Sequence, residues 1–229
     1  KALKINPNYI DAIINIGILF VTTNKIKEAE KFFKKGINIT PNNSKLFYNY
    51  ATVLQDLEKY DDAVLNYKKA IEIEINYPSA YNNLGLVYKK LNKFSDALEC
   101  YKKAIDQNPN YALAYNNLGN IYDAMCKHEN AIQSYKKAIQ LDPIKLSTRW
   151  ALMNTFPVIY SDEKDIIKFK KKFSENIKSI NSFIDTNKNL SKQNIIDGLL
   201  NSANFYLHYQ GENNILDQKK YAELIEKLT

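Results

Sequence analysis

Tyr81-Asn-Asn-Leu-Gly-Leu-Val-Tyr88, followed by Phe94-Ser-Asp-Ala-Leu-Glu-Cys-Tyr-Lys-Lys-Ala-Ile-Asp-Gln-Asn-Pro109, decides the fold. Tyr81, Leu84 and Tyr88 recur at helical spacing, and so do Phe94, Leu98 and Tyr101, so the stretch reads as two amphipathic helices. A short polar link joins them and a proline stops the second, which makes the unit a helical hairpin.

The same hairpin recurs along the chain with a period of 34 residues. Pro7, Pro41, Pro109 and Pro143 share one column; Gly17, Ala51, Gly85 and Gly119 a second; Ala29, Ala63, Ala97 and Ala131 a third; Phe33, Tyr67, Tyr101 and Tyr135 a fourth. Residues 10–43, 44–77, 78–111 and 112–145 are four full copies without an insertion, and 1–9 match the tail of another, with Ala2 in the column of Gly36, Ala70, Ala104 and Ala138. Beginning in mid-repeat without a methionine, the chain is expected to continue a longer array. Where the period predicts a proline the chain has Ile75, with Pro78 nearby, so that junction is expected to bend differently. A glycine inside a helix costs about 1 kcal/mol against alanine, and its recurrence predicts close helix approach rather than phosphate binding.

Composition agrees. Only 6 of 229 residues are glycine, and 25% are charged against 45% apolar. That is too little glycine for glycine-cradled nucleotide folds and too much apolar surface for disorder. Two cysteines, Cys100 and Cys126, form neither a disulfide framework nor a metal-ligand set; they are expected to be packed thiols in a reducing compartment, by default the cytoplasm. The formal charge is +7, but Arg149 is the only arginine, which argues against nucleic acid. The longest apolar run, Ile13 to Val21, is too short for a membrane span.

These columns resemble the tetratricopeptide repeat over residues 10 to 145. The resemblance implies an all-α fold, a right-handed superhelix of hairpins with residues 146–229 as a C-terminal helical cap or linker, and a concave groove lined by the first helices. Asn15, Asn49, Asn83 and Asn117 stand two residues before the small packing residue and point roughly opposite to it. As a ladder of amides they would hold an extended peptide by its backbone, one rung for about three residues, with Asn82, Asn116 and Asn120 in neighbouring groove columns. The bland alternative is that the column is inherited and its amides are solvated or bonded to neighbours. The Lys-Lys pairs at 34–35, 68–69, 102–103 and 136–137 read as a solvated outer face, the alternative being a surface for an acidic partner. A homodimer through the convex side stays open.

Beyond Pro143 one more helix keeps the register, with Arg149, Leu152 and Phe156 in the packing columns until Pro157. Ser161, Asp162 and Glu163 start a helix carrying Ile166, Phe169, Phe173, Ile177, Ile180 and Ile184 on one face; Asp185 to Leu190 break it, and segments from about Ser191 to Tyr209 and around Tyr221 to Leu228 follow. The run Arg149 to Tyr160, Asn204 to Gly211 and Tyr221 to Ile225 are similar to the stretch joining repeats to catalytic domain in bacterial SPINDLY-type O-linked N-acetylglucosamine transferases. That resemblance implies an arm recruiting protein substrates to a nucleotide-sugar enzyme, with His208 and Gln210 at the rim of its active site. The chain itself carries no self-contained catalytic constellation, metal set or cofactor site, and His128 falls in an aromatic packing column. The other reading is a non-enzymatic adapter whose last helices only cap the array.

Overall fold

The computed structural model describes residues 10–155 and 163–187. Among these residues every regular element is a helix. The first helices of the hairpins are α1 (Ile10–Thr22), α3 (Ser44–Asp56), α5 (Pro78–Lys90) and α7 (Ala112–Ala124); the second helices are α2 (Ile26–Ile39), α4 (Tyr60–Ile73), α6 (Phe94–Gln107) and α8 (His128–Leu141). Starts at 10, 44, 78 and 112 repeat the sequence period without drift. The junction at Ile75 keeps the register but bends differently, as expected: residues 41–42, 109–110 and 143–144 form turns at the other junctions, whereas here there is only a bend at Ile75. Pro78 opens α5, where its missing N–H costs no hydrogen bond, and so replaces the proline absent three residues earlier.

Each hairpin closes in the same way. Lys25 N–H donates to the Phe20 carbonyl (2.7 Å) and Asn24 N–H to that of Val21 (3.0 Å), a pattern repeated at Lys59 and Glu58, Lys93 and Asn92, and Lys127 and Cys126. The residue just before the lysine, donor of the second bond, is left-handed each time: Asn24, Glu58, Asn92 and Cys126 have φ of 56 to 58°. Cys126 is thus an exposed turn residue, which corrects its expected packing; Cys100 is buried.

The chain divides into two compact units, residues 1–117 and 118–229. In the first unit the repeated columns form the core: Ala29, Phe33, Ala63, Tyr67, Ala97, Tyr101 and Ala104 are fully buried. A Cβ on Gly85 would stand 2.7 Å from the Tyr101 ring, and one on Gly17 would overlap Phe33. The glycines do mark close approach. Burying each such ring contributes about 1.5–3 kcal/mol.

In the second unit Gly119 meets Tyr135 in the same way. Beyond it lie α9 (Leu146–Met153) and α10 (Glu163–Thr186). The expected packing of α9 needs correction: Leu146, Thr148 and Trp150 are buried, while Arg149 and Leu152 are only half-buried. The reason is its neighbour. A 24-residue α10 packs on this short helix in place of a second helix of the period: Asn176 donates to the Met153 carbonyl, and the Arg149 guanidinium lies 4.3 Å from the Phe183 ring centroid. Ile177 and Ile180 of α10 are buried, as their spacing predicts. Phe156, Pro157 and the segments after 187 lie outside the described residues.

Candidate functional site

The first-helix asparagines of the first unit fall into two groups. Asn82 is fully buried and Asn117 is 5% exposed. Asn117 Nδ2 donates to Asn82 Oδ1 (2.9 Å), Asn82 Nδ2 to Asn83 Oδ1 (3.1 Å), and Asn83 Nδ2 to the Tyr48 hydroxyl (3.0 Å). The amides therefore form one directed chain across α7, α5 and α3. Such a chain is stable where it is buried because every link satisfies a donor and an acceptor together.

Tyr48 continues the chain into an aromatic cluster. Its ring stacks on Tyr77 (centroids 5.1 Å apart, 28° between planes) and meets Tyr67 edge-on (5.8 Å). Tyr67 in turn donates to Gln55 Oε1 (3.2 Å) and shares a hydrogen bond with Thr52 Oγ1 (3.1 Å). Burial pushes the Tyr48, Tyr67, Tyr77 and Tyr111 phenols above their ordinary value, so they stay neutral at physiological pH. Two turns beyond Asn82, burial and then the neighbouring Lys90 charge lower the Lys89 ammonium from its ordinary value.

The remaining asparagines of the expected ladder are elsewhere. Asn15 is exposed, and Asn49 Nδ2 donates to the carbonyl of Lys45 on its own helix (2.7 Å). Asn116 is half-buried. Asn120, in the second unit, accepts from the Tyr135 hydroxyl (2.9 Å). Of the seven amides, then, Asn82, Asn83 and Asn117 are brought together, and they bond first to one another. What the periodicity missed is the tyrosine cluster at its end; Tyr77 and Tyr111, spaced by the period, were the available signal.

His128 pairs with Asp123 (3.0 Å), and among the described residues no group of three or more His, Cys, Asp or Glu could hold a metal ion. No described helix is long and apolar enough to cross a membrane. His208 and Gln210 lie outside the described residues.

Similarity to known proteins follows the same architecture. No curated protein matches the chain. Among solved structures it is similar to MamA (residues 41 to the end) from Desulfovibrio magneticus RS-1, at 21% identity over 77% of this chain and 96% of that one, TM-score 0.65. It is also similar to YrrB, described as a TPR protein with an unusual peptide-binding site (20% identity, 83% and 97% covered, TM-score 0.62). A third is PilF of Pseudomonas aeruginosa (16%, 95% and 97%, TM-score 0.62). At these identities the likeness is one of fold. Tetratricopeptide repeat models match residues 10–43, 32–64, 53–92, 78–111 and 112–144, more than half of the sequence, and the chain belongs to the tetratricopeptide repeat family.

Proposed function

We infer that the chain is a protein-binding scaffold whose first-helix face in the first unit takes an extended peptide. The observation that carries this is the amide chain from Asn117 through Asn82 and Asn83 to the stacked Tyr48 and Tyr77. Buried Asn82 and Asn117 hold each other and fix the half-buried Asn83 at the end of the chain, where an amide carries both donor and acceptor, the hydrogen-bonding pattern of a peptide backbone. The tyrosines add neutral aromatic surface, which suits uncharged side chains of the same peptide.

Because Asn117 and Asn82 hold each other in the core, replacing Asn117 by alanine would strip a buried bond and cost about 1–3 kcal/mol of stability. Binding is therefore tested at amides on the rim. Peptides selected from a random display library on the intact chain should lose about tenfold in affinity with Asn15→Ala plus Asn49→Ala, the worth of about 1.4 kcal/mol, at unchanged melting temperature. Unchanged affinity would remove the peptide ladder.

A narrower proposal is that this scaffold is the substrate-recruiting arm of a SPINDLY-like protein O-glycosyltransferase using a nucleotide sugar such as UDP-N-acetylglucosamine. Its support is sequence similarity in 149–160, 204–211 and 221–225, of which only residues 149–155 are described. Sugar transfer to protein substrates, read by intact mass with the full reading frame and with this chain, decides it; absence of transfer by the full frame leaves the adapter.

A further inference from the structure

On the opposite, second-helix side of the first unit a cavity of about 370 Å³ opens between α4 and α6 over α5. Its floor is Leu84 (3% exposed) and Cys100 (8% exposed). Tyr81 and Tyr88 form its ends, seven residues apart on α5 and so about 10.5 Å along the helix axis. A ring seated over Leu84 would lie between these two tyrosines, the kind of partner with which an aromatic side chain makes favourable offset or edge-on contacts.

The neighbouring hairpin junction shows what fills such a place. There the chain's own Tyr50 occupies the column of Leu84, and Lys34, in the column of Lys68, lies with its Nζ 5.8 Å from the Tyr50 ring centroid. One period later leucine replaces that ring, and Lys68 reaches instead to Tyr88 (6.0 Å) while Lys103 lies over Tyr81 (5.9 Å). The rim charges balance. Glu99 pairs with Lys103 (2.8 Å) and Glu72 with Lys69 (3.0 Å), which leaves Lys68 and Asp96, one of each sign. Burial pushes the Cys100 thiol up to about 12, so the floor is neutral as well.

We propose that this cavity is a second binding site, a socket that takes one uncharged aromatic side chain of a partner protein in the place that Tyr50 fills one repeat earlier. A charged ligand would unbalance the rim, and an aliphatic one would forgo both ring contacts and the ammonium of Lys68. This site is separate from the amide chain and does not depend on it.

Cys100 reports on occupancy. In the full chain carrying Cys126→Asn, which puts at the second cysteine the residue found at Asn24 and Asn92, Cys100 is the only thiol. N-acetyl-tyrosinamide should slow its modification by methyl methanethiosulfonate about fivefold when present at about four times its dissociation constant. N-acetyl-leucinamide should have little effect. Leu84→Tyr, which copies repeat two into repeat three, should keep the wild-type melting temperature, slow the modification by itself and abolish the response to the probe. Asn15→Ala plus Asn49→Ala should leave the response intact, which separates this site from the peptide ladder. No protection by the tyrosine amide, equal protection by the leucine amide, protection that survives Leu84→Tyr, or tighter binding of free 4-hydroxyphenylacetate, the mark of a small-metabolite site, would each overturn the proposal.

Discussion

The Tyr101 hydroxyl is buried without a hydrogen-bond partner, and its own column explains why. Fifteen residues before each member of that column stands the side chain that faces it: Thr52 for Tyr67 and Asn120 for Tyr135, both hydrogen-bonded, but Leu86 for Tyr101 and Ile18 for Phe33. Repeat one is consistent, apolar against apolar; repeat three keeps the hydroxyl and has lost its acceptor. Tyr101→Phe should therefore stabilise the protein by about 1 kcal/mol, whereas Tyr135→Phe should destabilise it by a similar amount, both read from urea midpoints at constant m. Equal effects at the two positions would mean that Tyr101 finds a partner in solution. That the column was aromatic and inward was plain from the sequence. Which hydroxyl has a partner depends on contacts between two helices, and a period of 34 aligns positions without measuring those distances. The same limit applied to the asparagines: their alignment was legible and bonding to neighbours was one of the two readings left open, but which amides bond was not legible, because Asn82 lies one residue off the expected ladder column yet carries the central bonds.

At the scale of elements, periodicity was sufficient for the helices and insufficient for the turns. Helix starts at 10, 44, 78 and 112 follow from apolar spacing, but the left-handed residue that closes each hairpin was hidden, since only Asn24 and Asn92 are of a type that favours it. Glu58 and Cys126 hold the same φ without that advantage. Glu58→Gly should gain about 1 kcal/mol by relieving the left-handed strain, less the greater backbone entropy of glycine in the unfolded chain, while Asn24→Ala should lose a comparable amount; thermal unfolding of the two variants checks the sign. Helix α9 shows the complementary failure. The repeat register was extended through Arg149 and Leu152, but a long helix of different geometry packs there, so Trp150 became the buried residue. A pattern learned from hairpins carries over only while the next element is again a hairpin.

At the scale of the molecule, a repeat array is held by contacts between neighbouring hairpins, so a link from one hairpin to the next matters more than its own strength suggests. Glu30 of α2 accepts from Lys59, which caps α4 in the following hairpin (3.0 Å), and from Lys34 (3.1 Å). Lys59 and then Lys34 hold its carboxyl below the ordinary 4.5, so its contribution is full above that value and is lost as pH falls through the lowered one. Glu30→Gln should accordingly flatten the acid limb of the stability curve below about pH 4.5 in the same region where wild type declines. One column also differs between the first helices: Val53 and Val87 are fully buried, whereas Leu19 in the same column is 58% exposed. Val53→Gln should thus cost about 2–4 kcal/mol, through lost packing and an amide without partners, whereas Leu19→Gln should stay within about 0.5 kcal/mol of wild type in urea denaturation. If Leu19→Gln proved as costly as Val53→Gln, that face of α1 would have to be covered in solution as the later ones are, and the cost would then fall on dilution if the cover were a second copy and hold constant if it belonged to the same chain.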